Sequence, residues 1–276
     1  MLEAQRFERA LAWLRDADGL LITAGAGMGV DSGLPDFRGR AGLWRAYPAL
    51  KQARIAFQAI ANPKAFHHLP ALAWGFYGHR LELYRKTTPH RGYAILQRWA
   101  SDMTHGAFVF TSNVDGHFAK AGFPDDRIVE CHGTLHMLQC ARVCTMDIWS
   151  ADSLVPIVDE KACRLRSPLP ACANCGGLAR PNILMFNDWD WISERADRQI
   201  ARLERWMRAV KRAVVIEIGA GRAVTTVRNF SVHQGLPVIR INPQDFAIAP
   251  HEGVGIQGRA LEVLDRLDAV LTPRYS

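Results

Sequence analysis

The sequence lacks the features of membrane, secreted and repeat proteins. No apolar run approaches the roughly 20 residues that a membrane-spanning helix needs, so a membrane span is not predicted. Residues 1–17 place apolar residues at helical spacing between charges, without the apolar middle and small-residue cleavage site of a signal peptide. No internal repeat or low-complexity tract is present, which excludes a solenoid. We therefore expect a cytoplasmic globular protein whose chain begins with a helix.

Positive charge is not concentrated in any one part of the sequence. The formal net charge is +7 and the pI is near 9.3, but the basic residues are scattered along the chain. This pattern indicates a basic soluble surface and no specific nucleic-acid partner. Six cysteines among 276 residues without a secretion signal argue against a disulfide framework and favour metal ligation or free thiols.

Short apolar runs rich in Val, Ile and Phe alternate with segments of helical periodicity. Such alternation predicts an α/β fold, namely a Rossmann-like, doubly wound parallel sheet. The predicted strands cover residues 19–25, 107–113, 127–131, 213–221 and 236–242, and the main predicted helices cover 3–16, 71–86, 90–102, 193–211 and 258–271.

Two stretches interrupt this alternation. Residues 44–88 are rich in Trp, Tyr and His and are predicted to be helical, without a strand. Residues 140–185 carry five of the six cysteines and little periodicity, which suggests a small insert held by something other than a core. We expect a single catalytic domain over residues 1–276, with a Rossmann-like part formed by 1–43, 89–139 and 186–276, a helical module and a metal-binding module.

A glycine-rich turn follows the first predicted strand. In Gly25-Ala26-Gly27 the small residues let the backbone approach a pyrophosphate, and a following helix would point its N–H groups at the charge. The dehydrogenase pattern G-x-G-x-x-G fails, because Val30 or Ser32 occupies its last position. No acidic residue stands about 20 residues after Gly25 to hold a ribose, so hydride transfer is disfavoured.

Four cysteines have the spacing of a zinc site. Cys140 and Cys144 form one close pair, and Cys172 and Cys175, followed by two glycines, form another. Four thiolates give closed tetrahedral ligation, which is typical of structural rather than catalytic zinc. Two alternatives stay open: Cys163 replaces one of the ligands, or all these thiols are free.

Three ordered strings resemble the signature of the sirtuin family. They are GAGMGVDSGLPDFRGRAGLW at 25–44, TSNVDGHFAKAG at 111–122 and ECHGT at 130–134, and the resemblance extends over residues 20–271. It implies an NAD-dependent protein lysine deacylase that transfers the acyl group to ADP-ribose and releases nicotinamide. The implied partners are NAD and acylated-lysine proteins or peptides, and the implied cofactors are NAD as co-substrate and structural Zn²⁺.

The resemblance also assigns residues to roles. His132 is the expected base, since an imidazole with a pKa near 6.5 accepts a proton at neutral pH. By resemblance, the acyl oxygen attacks the nicotinamide ribose, and His132 then deprotonates a ribose hydroxyl; Asn113 is catalytic and also contacts the cofactor. The implied cofactor-binding residues are Gly25, Ala26, Gly27, Asp36, Phe37, Arg38, Ser112, Asn113, Asp115, Gly219 and Asn242, and Phe186 is an implied substrate contact.

A Tyr-x-x-Arg pair bears on the choice of acyl group. Tyr77 and Arg80 are three residues apart on a predicted helix, so both side chains can point into one cavity. The pair resembles the acyl-carboxylate reader of desuccinylating and demalonylating sirtuins, and an Arg fork suits a carboxylate. The alternative is an exposed Arg beside a packed Tyr.

The chain departs from the sirtuin pattern at three places. Ser112 replaces the usual Gln, residues 219–222 read Gly-Ala-Gly-Arg instead of beginning Gly-Thr-Ser, and residues 186–189 read Phe-Asn-Asp-Trp instead of beginning Phe-Gly-Glu. The first two departures keep open an ADP-ribosyltransferase or NAD glycohydrolase on the same fold. A non-enzymatic NAD-binding module is a further alternative, against which the retained His132 argues, because binding alone needs no base.

Overall fold

A computed structural model describes residues 2–35 and 39–271 of the chain. The strands are β1 (Gly19–Ala24), β2 (Ala107–Thr111), β3 (Ile128–Glu130), β4 (Gly133–Cys140), β5 (Ile148–Ser150), β6 (Val158–Asp159), β7 (Arg164–Leu165), β8 (Ala179–Ile183), β9 (Ala213–Ile218), β10 (Val238–Asn242) and β11 (Gly253–Gln257). The helices are α1 (Glu3–Asp16), α2 (Gly39–Ala46), α3 (Pro48–Gln52), α4 (Phe57–Ile60), α5 (Pro63–His68), α6 (Pro70–Lys86), α7 (Gly92–Ser101), α8 (His117–Lys120), α9 (Glu194–Ala209), α10 (Thr226–His233) and α11 (Ala260–Leu271). Within these ranges, none of the helices has the length and apolar character required to cross a membrane.

The main sheet has six parallel strands in the order β11-β10-β9-β1-β2-β3. This order confirms the predicted Rossmann-like fold, in which the chain winds outward from a central strand in both directions. All five predicted strands are present. The sequence does not predict the sixth strand, β11, because two of its five residues are glycines. A Cβ on Gly253 would lie 2.0 Å from the Val238 carbonyl oxygen, and a Cβ on Gly255 would lie 2.0 Å from the Phe246 carbonyl oxygen. Close packing therefore requires glycine at both positions, and glycine is a residue that weakens the strand pattern in the sequence.

Both faces of the main sheet are covered by helices. Leu20 and Ile22 of β1 pack in one apolar cluster with α1, α7 and α11, whereas Leu21 packs with Leu203 and Trp206 of α9 on the opposite face. All six residues of β1 are buried, which explains why its sequence is a continuous apolar run rather than an alternating one.

A second apolar cluster joins the helices of the 44–88 stretch to smaller sheets. β4 lies between β5 and β8 in an antiparallel sheet, and β6 pairs with β7. The α6 helix packs against both: Trp74 donates a hydrogen bond to the Ala179 carbonyl at 2.9 Å, and a Cβ on Gly75 would lie 2.1 Å from the Cys163 carbonyl oxygen. The cysteine-rich stretch therefore packs directly on the helices of residues 44–88.

Two neighbouring strands of the main sheet share a buried ion pair. Arg240 on β10 and Glu217 on β9 are direct cross-strand partners, and the guanidinium donates to both carboxylate oxygens at 2.5 and 2.9 Å. Their side chains are 7% and 1% exposed. Arg240 also donates to the Ala247 carbonyl, which ties the loop after β10 back to the sheet.

We predict that Arg240→Met lowers the free energy of unfolding by about 3–5 kcal/mol, because it leaves the Glu217 carboxylate buried without its partner. The double variant Arg240→Met, Glu217→Leu is expected to recover most of that loss, since both desolvated charges are then gone. Urea unfolding followed by circular dichroism measures both values. A single variant as stable as the parent protein would contradict the prediction.

Candidate active site and metal centre

One row of paired residues crosses the main sheet and organises the site. Ile241 pairs with Ile218, Ile218 with Ala24, Ala24 with Thr111, and Thr111 with Glu130. Each belongs to a different parallel strand, so the residues that follow them emerge at the same carboxyl edge. Most of the sequence-predicted cofactor and catalytic residues come within four positions of this row: Asn242, Gly219, Gly25, Ala26, Gly27, Ser112, Asn113, Asp115 and His132.

The glycine turn after β1 packs directly on the loop after β9. The Gly27 amide donates to the Gly219 carbonyl at 3.0 Å, and a Cβ on Gly25 would lie 2.8 Å from the Cα of Ala220. Gly219 has a φ of +64°, and its Cβ would meet the Gly27 carbonyl carbon at 2.4 Å. Side chains are therefore excluded between the loops, and the exposed Ala26 leaves a surface made mainly of backbone.

The expected α-helix directly after this turn is absent from the described residues. Residues 26–28 and 30–32 instead form two short 3₁₀ turns, and Gly33 has a φ of +87°. Glycines at 27, 29 and 33 disfavour a continuous helix, which explains the difference. Asp31 accepts a hydrogen bond from the Leu261 amide at 2.9 Å and so fixes the segment to the start of α11.

Asn113 and Asp115 lie just past the end of β2 and are held by the neighbouring backbone. The Asn113 side-chain amide donates to the Gly25 carbonyl at 3.1 Å, while its backbone amide donates to Thr111 Oγ1. Asp115 accepts a hydrogen bond from the His117 amide at 2.9 Å. Both side chains are mostly buried, and Ser112 beside them is half-buried. The two polar residues expected to meet the ribose and carboxamide thus lie against the glycine turn.

His132 occupies the turn between β3 and β4. The preceding amide of Cys131 donates to the Thr111 carbonyl at 2.9 Å, and the His132 carbonyl accepts from the Leu184 amide at the same distance. Gly133 has a φ of +73°, and a Cβ there would lie 2.0 Å from the Asn182 carbonyl oxygen, so only glycine fits after the histidine. Burial lowers the pKa of His132 below its usual 6.5, which favours the neutral imidazole that a general base requires.

Asn242 lies in the expected region, but its side chain is used within the protein. It is 1% exposed, donates to the Ala220 carbonyl at 2.9 Å and accepts from the amides of Gln244 and Asp245. The side chain therefore braces the loop after β9. Arg222 in that loop forms an ion pair with Asp245 at 3.0 Å.

Phe186 lies in a loop that reaches the helical stretch. Its amide donates to the Ala61 carbonyl at 2.9 Å, and its ring lies 5.9 Å from that of Phe57. A buried bidentate pair fixes this loop, since Arg180 donates to both oxygens of Asp188 at 2.7 and 2.8 Å. Sequence reasoning missed this pair; the acid at the end of the loop was visible, but its arginine eight residues earlier could not be matched to it.

Tyr77 and Arg80 are both buried on α6, 1% and 8% exposed. The Tyr77 ring stacks on Phe66, and the Arg80 guanidinium lies 5.9 Å from the Tyr77 ring. Arg80 Nε and Nη2 donate to the Tyr84 hydroxyl, one helical turn on, at 2.9 and 2.5 Å. Although desolvation opposes the charge, contact with Tyr84 raises the pKa of Arg80. The alternative of an exposed Arg is therefore wrong.

Three of the predicted cofactor-binding residues, Asp36, Phe37 and Arg38, lie outside the described residues.

The four predicted zinc ligands converge on one point. The Sγ atoms of Cys140, Cys144, Cys172 and Cys175 all lie within 4.8 Å of one another, and two of the pairs are 3.6 and 3.7 Å apart. Tetrahedral ligation at a Zn–S distance of about 2.3 Å requires sulfurs about 3.8 Å apart, so the set fits zinc. Cys163 lies outside this cluster and is buried beside α6, which removes it as an alternative ligand.

Comparison with known proteins agrees with this geometry. The chain is 32% identical over 255 residues to NAD-dependent protein deacylase 2 of Pyrobaculum aerophilum, covering 90% of this chain and 88% of that protein. It is 29% identical over 267 residues to NAD-dependent protein deacylase 1 of Archaeoglobus fulgidus, covering 94% and 96%. The solved complex of a Sir2 homologue with NAD superimposes with a TM-score of 0.74 at 25% identity, covering 98% of this chain and 95% of that chain.

The family comparison covers the residues from which the site is built. The Sir2 family model matches residues 25–225, more than half of the chain, including the glycine turn, His132 and the four clustered cysteines. The prediction of a sirtuin made from the three sequence strings is confirmed, and this protein belongs to the Sir2 family.

Proposed function

We propose that this chain is an NAD-dependent protein lysine deacylase that releases nicotinamide, transfers the acyl group to ADP-ribose and accepts acidic acyl groups. The enzyme class is supported by relatives named NAD-dependent protein deacylases. The observation that carries the proposal is the position of His132 directly after β3, at the sheet edge that also carries the glycine turn. Burial lowers the pKa of His132, which favours the neutral form that a base requires.

The residues present fit NAD. A backbone surface formed by the turn after β1 and the loop after β9 suits a pyrophosphate, because no side chain intervenes there. Asn113 and Asp115 offer an amide and a carboxylate beside this surface for polar groups of a ribose and a carboxamide. When bound, NAD supplies a sugar carbon open to attack and nicotinamide as the leaving group. The unprotonated ring nitrogen of His132 then accepts a proton from a hydroxyl.

Arg80 is the proposed reader of an acidic acyl group. Its guanidinium is enclosed by aromatic rings, at 5.3 Å from both Phe76 and Tyr84, and two of its nitrogens are oriented by the Tyr84 hydroxyl. A charged guanidinium held in such low-dielectric surroundings attracts a carboxylate more strongly than one in water. Tyr84 is therefore proposed as a positioning residue that fixes the direction of the arginine fork.

We predict that His132→Ala lowers kcat for acyl-dependent nicotinamide release by about 10²–10⁴-fold, because the general base is lost. NAD affinity, measured by calorimetry, should stay within about threefold, since the imidazole acts on the reaction rather than on binding. The exposed His67→Ala variant is the matched control and should behave like the parent protein.

The pH profile checks the same role. Because burial lowers the pKa of His132 below 6.5, more than half of the base is neutral at pH 6.5, and the midpoint of the acid limb of kcat/KM should lie below that pH. An acid limb above pH 6.5, or an unimpaired His132→Ala variant, would contradict the assignment. NAD cleavage without any acyl-lysine peptide would instead favour the glycohydrolase alternative, and label transferred from NAD to protein would favour the ADP-ribosyltransferase.

We predict that Arg80→Met lowers kcat/KM for a succinyl-lysine peptide at least about tenfold more than for an acetyl-lysine peptide, because a charge-assisted carboxylate contact is lost. Tyr84→Phe keeps the charge of Arg80 but removes the hydroxyl that orients its guanidinium. It should lower the ratio of succinyl-lysine to acetyl-lysine kcat/KM as well, but by less than Arg80→Met does. Thermal unfolding of both variants verifies that the buried substitutions leave the fold intact. A succinyl-to-acetyl ratio unchanged by Arg80→Met would refute the reader role.

We predict one zinc ion per chain by elemental analysis of the protein. Cys172→Ala should lose the metal and unfold the surrounding strands, since three thiolates no longer close the tetrahedron. Cys163→Ala should keep it, because this buried thiol lies outside the cluster. Metal content unaffected by Cys172→Ala, or lost in Cys163→Ala, would show that the ligand set is wrong.

A further inference from the structure

Arg228 of α10 is a buried cation behind the loop that follows β9. The residue is 9% exposed. Within the described residues its guanidinium donates only to backbone carbonyl oxygens: Nε and Nη2 donate to that of Ala220 at 3.1 and 3.0 Å, and Nη2 also donates to that of Asp245 at 2.5 Å. Burial lowers the pKa of Arg228, as expected for a cation without a carboxylate bound to it.

The charges around Arg228 do not cancel. Two carboxylates act on it, those of Glu217 and Asp245. Each already has an arginine partner, since Arg240 pairs with Glu217 and Arg222 pairs with Asp245. Three arginines therefore face two carboxylates, and the charge of Arg228 is left over. A buried charge is costly unless it is paired, so this arrangement favours an anion bound nearby.

The carbonyl that Arg228 holds belongs to the backbone surface proposed for the diphosphate of NAD. A Cβ on Gly25 would lie 2.8 Å from the Cα of Ala220, so the glycine turn and this loop are in direct contact. Asn242 donates to the same Ala220 carbonyl at 2.9 Å. Because both donors are buried side chains, the carbonyl oxygen is directed into the protein. A carbonyl oxygen directed outward would instead repel a phosphate.

This loop lacks side-chain hydroxyls that could donate to an anion. Residues 219–222 read Gly-Ala-Gly-Arg, and the arginine among them, Arg222, is paired with Asp245. We propose that Arg228 is a positioning residue for the diphosphate of NAD. It turns the Ala220 carbonyl inward and supplies an unbalanced positive charge behind the loop, which attracts the diphosphate without contacting it. The inference rests on the proposed function only in placing NAD at the glycine turn.

The probes are ADP-ribose, which carries the diphosphate, and adenosine, which carries none, each titrated into the whole protein by calorimetry. Arg228→Gln should weaken ADP-ribose binding by about tenfold or more, because the charge is lost. Arg228→Lys keeps the charge and should weaken it by about threefold or less. Adenosine affinity should stay within about threefold in both variants, since it offers no phosphate to the charge. Arg208→Gln, which removes an exposed charge from α9, is the matched control and should bind like the parent protein.

Asp245→Asn tests the role of the charge with the opposite sign. It removes one of the two carboxylates near Arg228 from a side chain that is 29% exposed, so the fold should tolerate the change. ADP-ribose binding should become about twofold or more tighter, because the excess of positive charge grows. A loss of support for the loop would instead weaken binding. Thermal unfolding of all variants verifies that each is folded.

Several outcomes would overturn the role of Arg228. They are unchanged ADP-ribose affinity in Arg228→Gln, an Arg228→Lys variant as weak as Arg228→Gln, an equal loss of adenosine affinity, and no gain in Asp245→Asn. A parent protein that does not bind ADP-ribose would contradict the proposed NAD site itself, so the two failures are distinguishable.

Discussion

The register of the parallel sheet is the constraint on which the candidate active site depends. Hydrogen bonding aligns Ile241, Ile218, Ala24, Thr111 and Glu130 across five strands, and no side chain of this row has to do chemistry. Its effect is geometric, because every segment that leaves the row emerges at the same edge. A glycine turn, an Asn-x-Asp segment and a histidine, separated by up to about a hundred residues in sequence, are thereby brought to the same edge of the sheet.

Motifs with a local physical cause could be predicted from the sequence. The apolar runs identify five of the six main strands, the cysteine spacing identifies the four cysteines that converge, and the ordered strings identify the family. The sequence could not show β11, whose glycines are dictated by the Val238 and Phe246 carbonyls. It also could not show that Arg180 meets Asp188 or that Tyr84 orients Arg80, because such pairings depend on the three-dimensional packing of the buried side chains.

The grouping of positive charge also depends on the fold and could not be predicted from the sequence. The basic residues are scattered in sequence, yet helical spacing along α9 brings Arg202 and Arg205 to one side, where Arg127 from the segment before β3 joins them. The net charge of +7 does not reveal this grouping, because the arginines of α9 differ in their partners. Arg195 is paired with Glu130, whereas Arg127, Arg202 and Arg205 form no ion pair within the described residues.

The four-cysteine cluster is connected to the candidate active site through the paired strands β4 and β8. Cys140 ends β4, and Cys175 precedes β8 by four residues, so the four-sulfur cluster clamps the far ends of two paired strands. At their other ends, Gly133 pairs with Ile183 and the Leu184 amide holds the His132 carbonyl. β8 also accepts the hydrogen bond from Trp74 of α6, the helix that carries Tyr77 and Arg80. A metal bound by these four cysteines would thus support both the proposed base and the proposed acyl reader, because each is attached to a strand whose pairing the metal would stabilise.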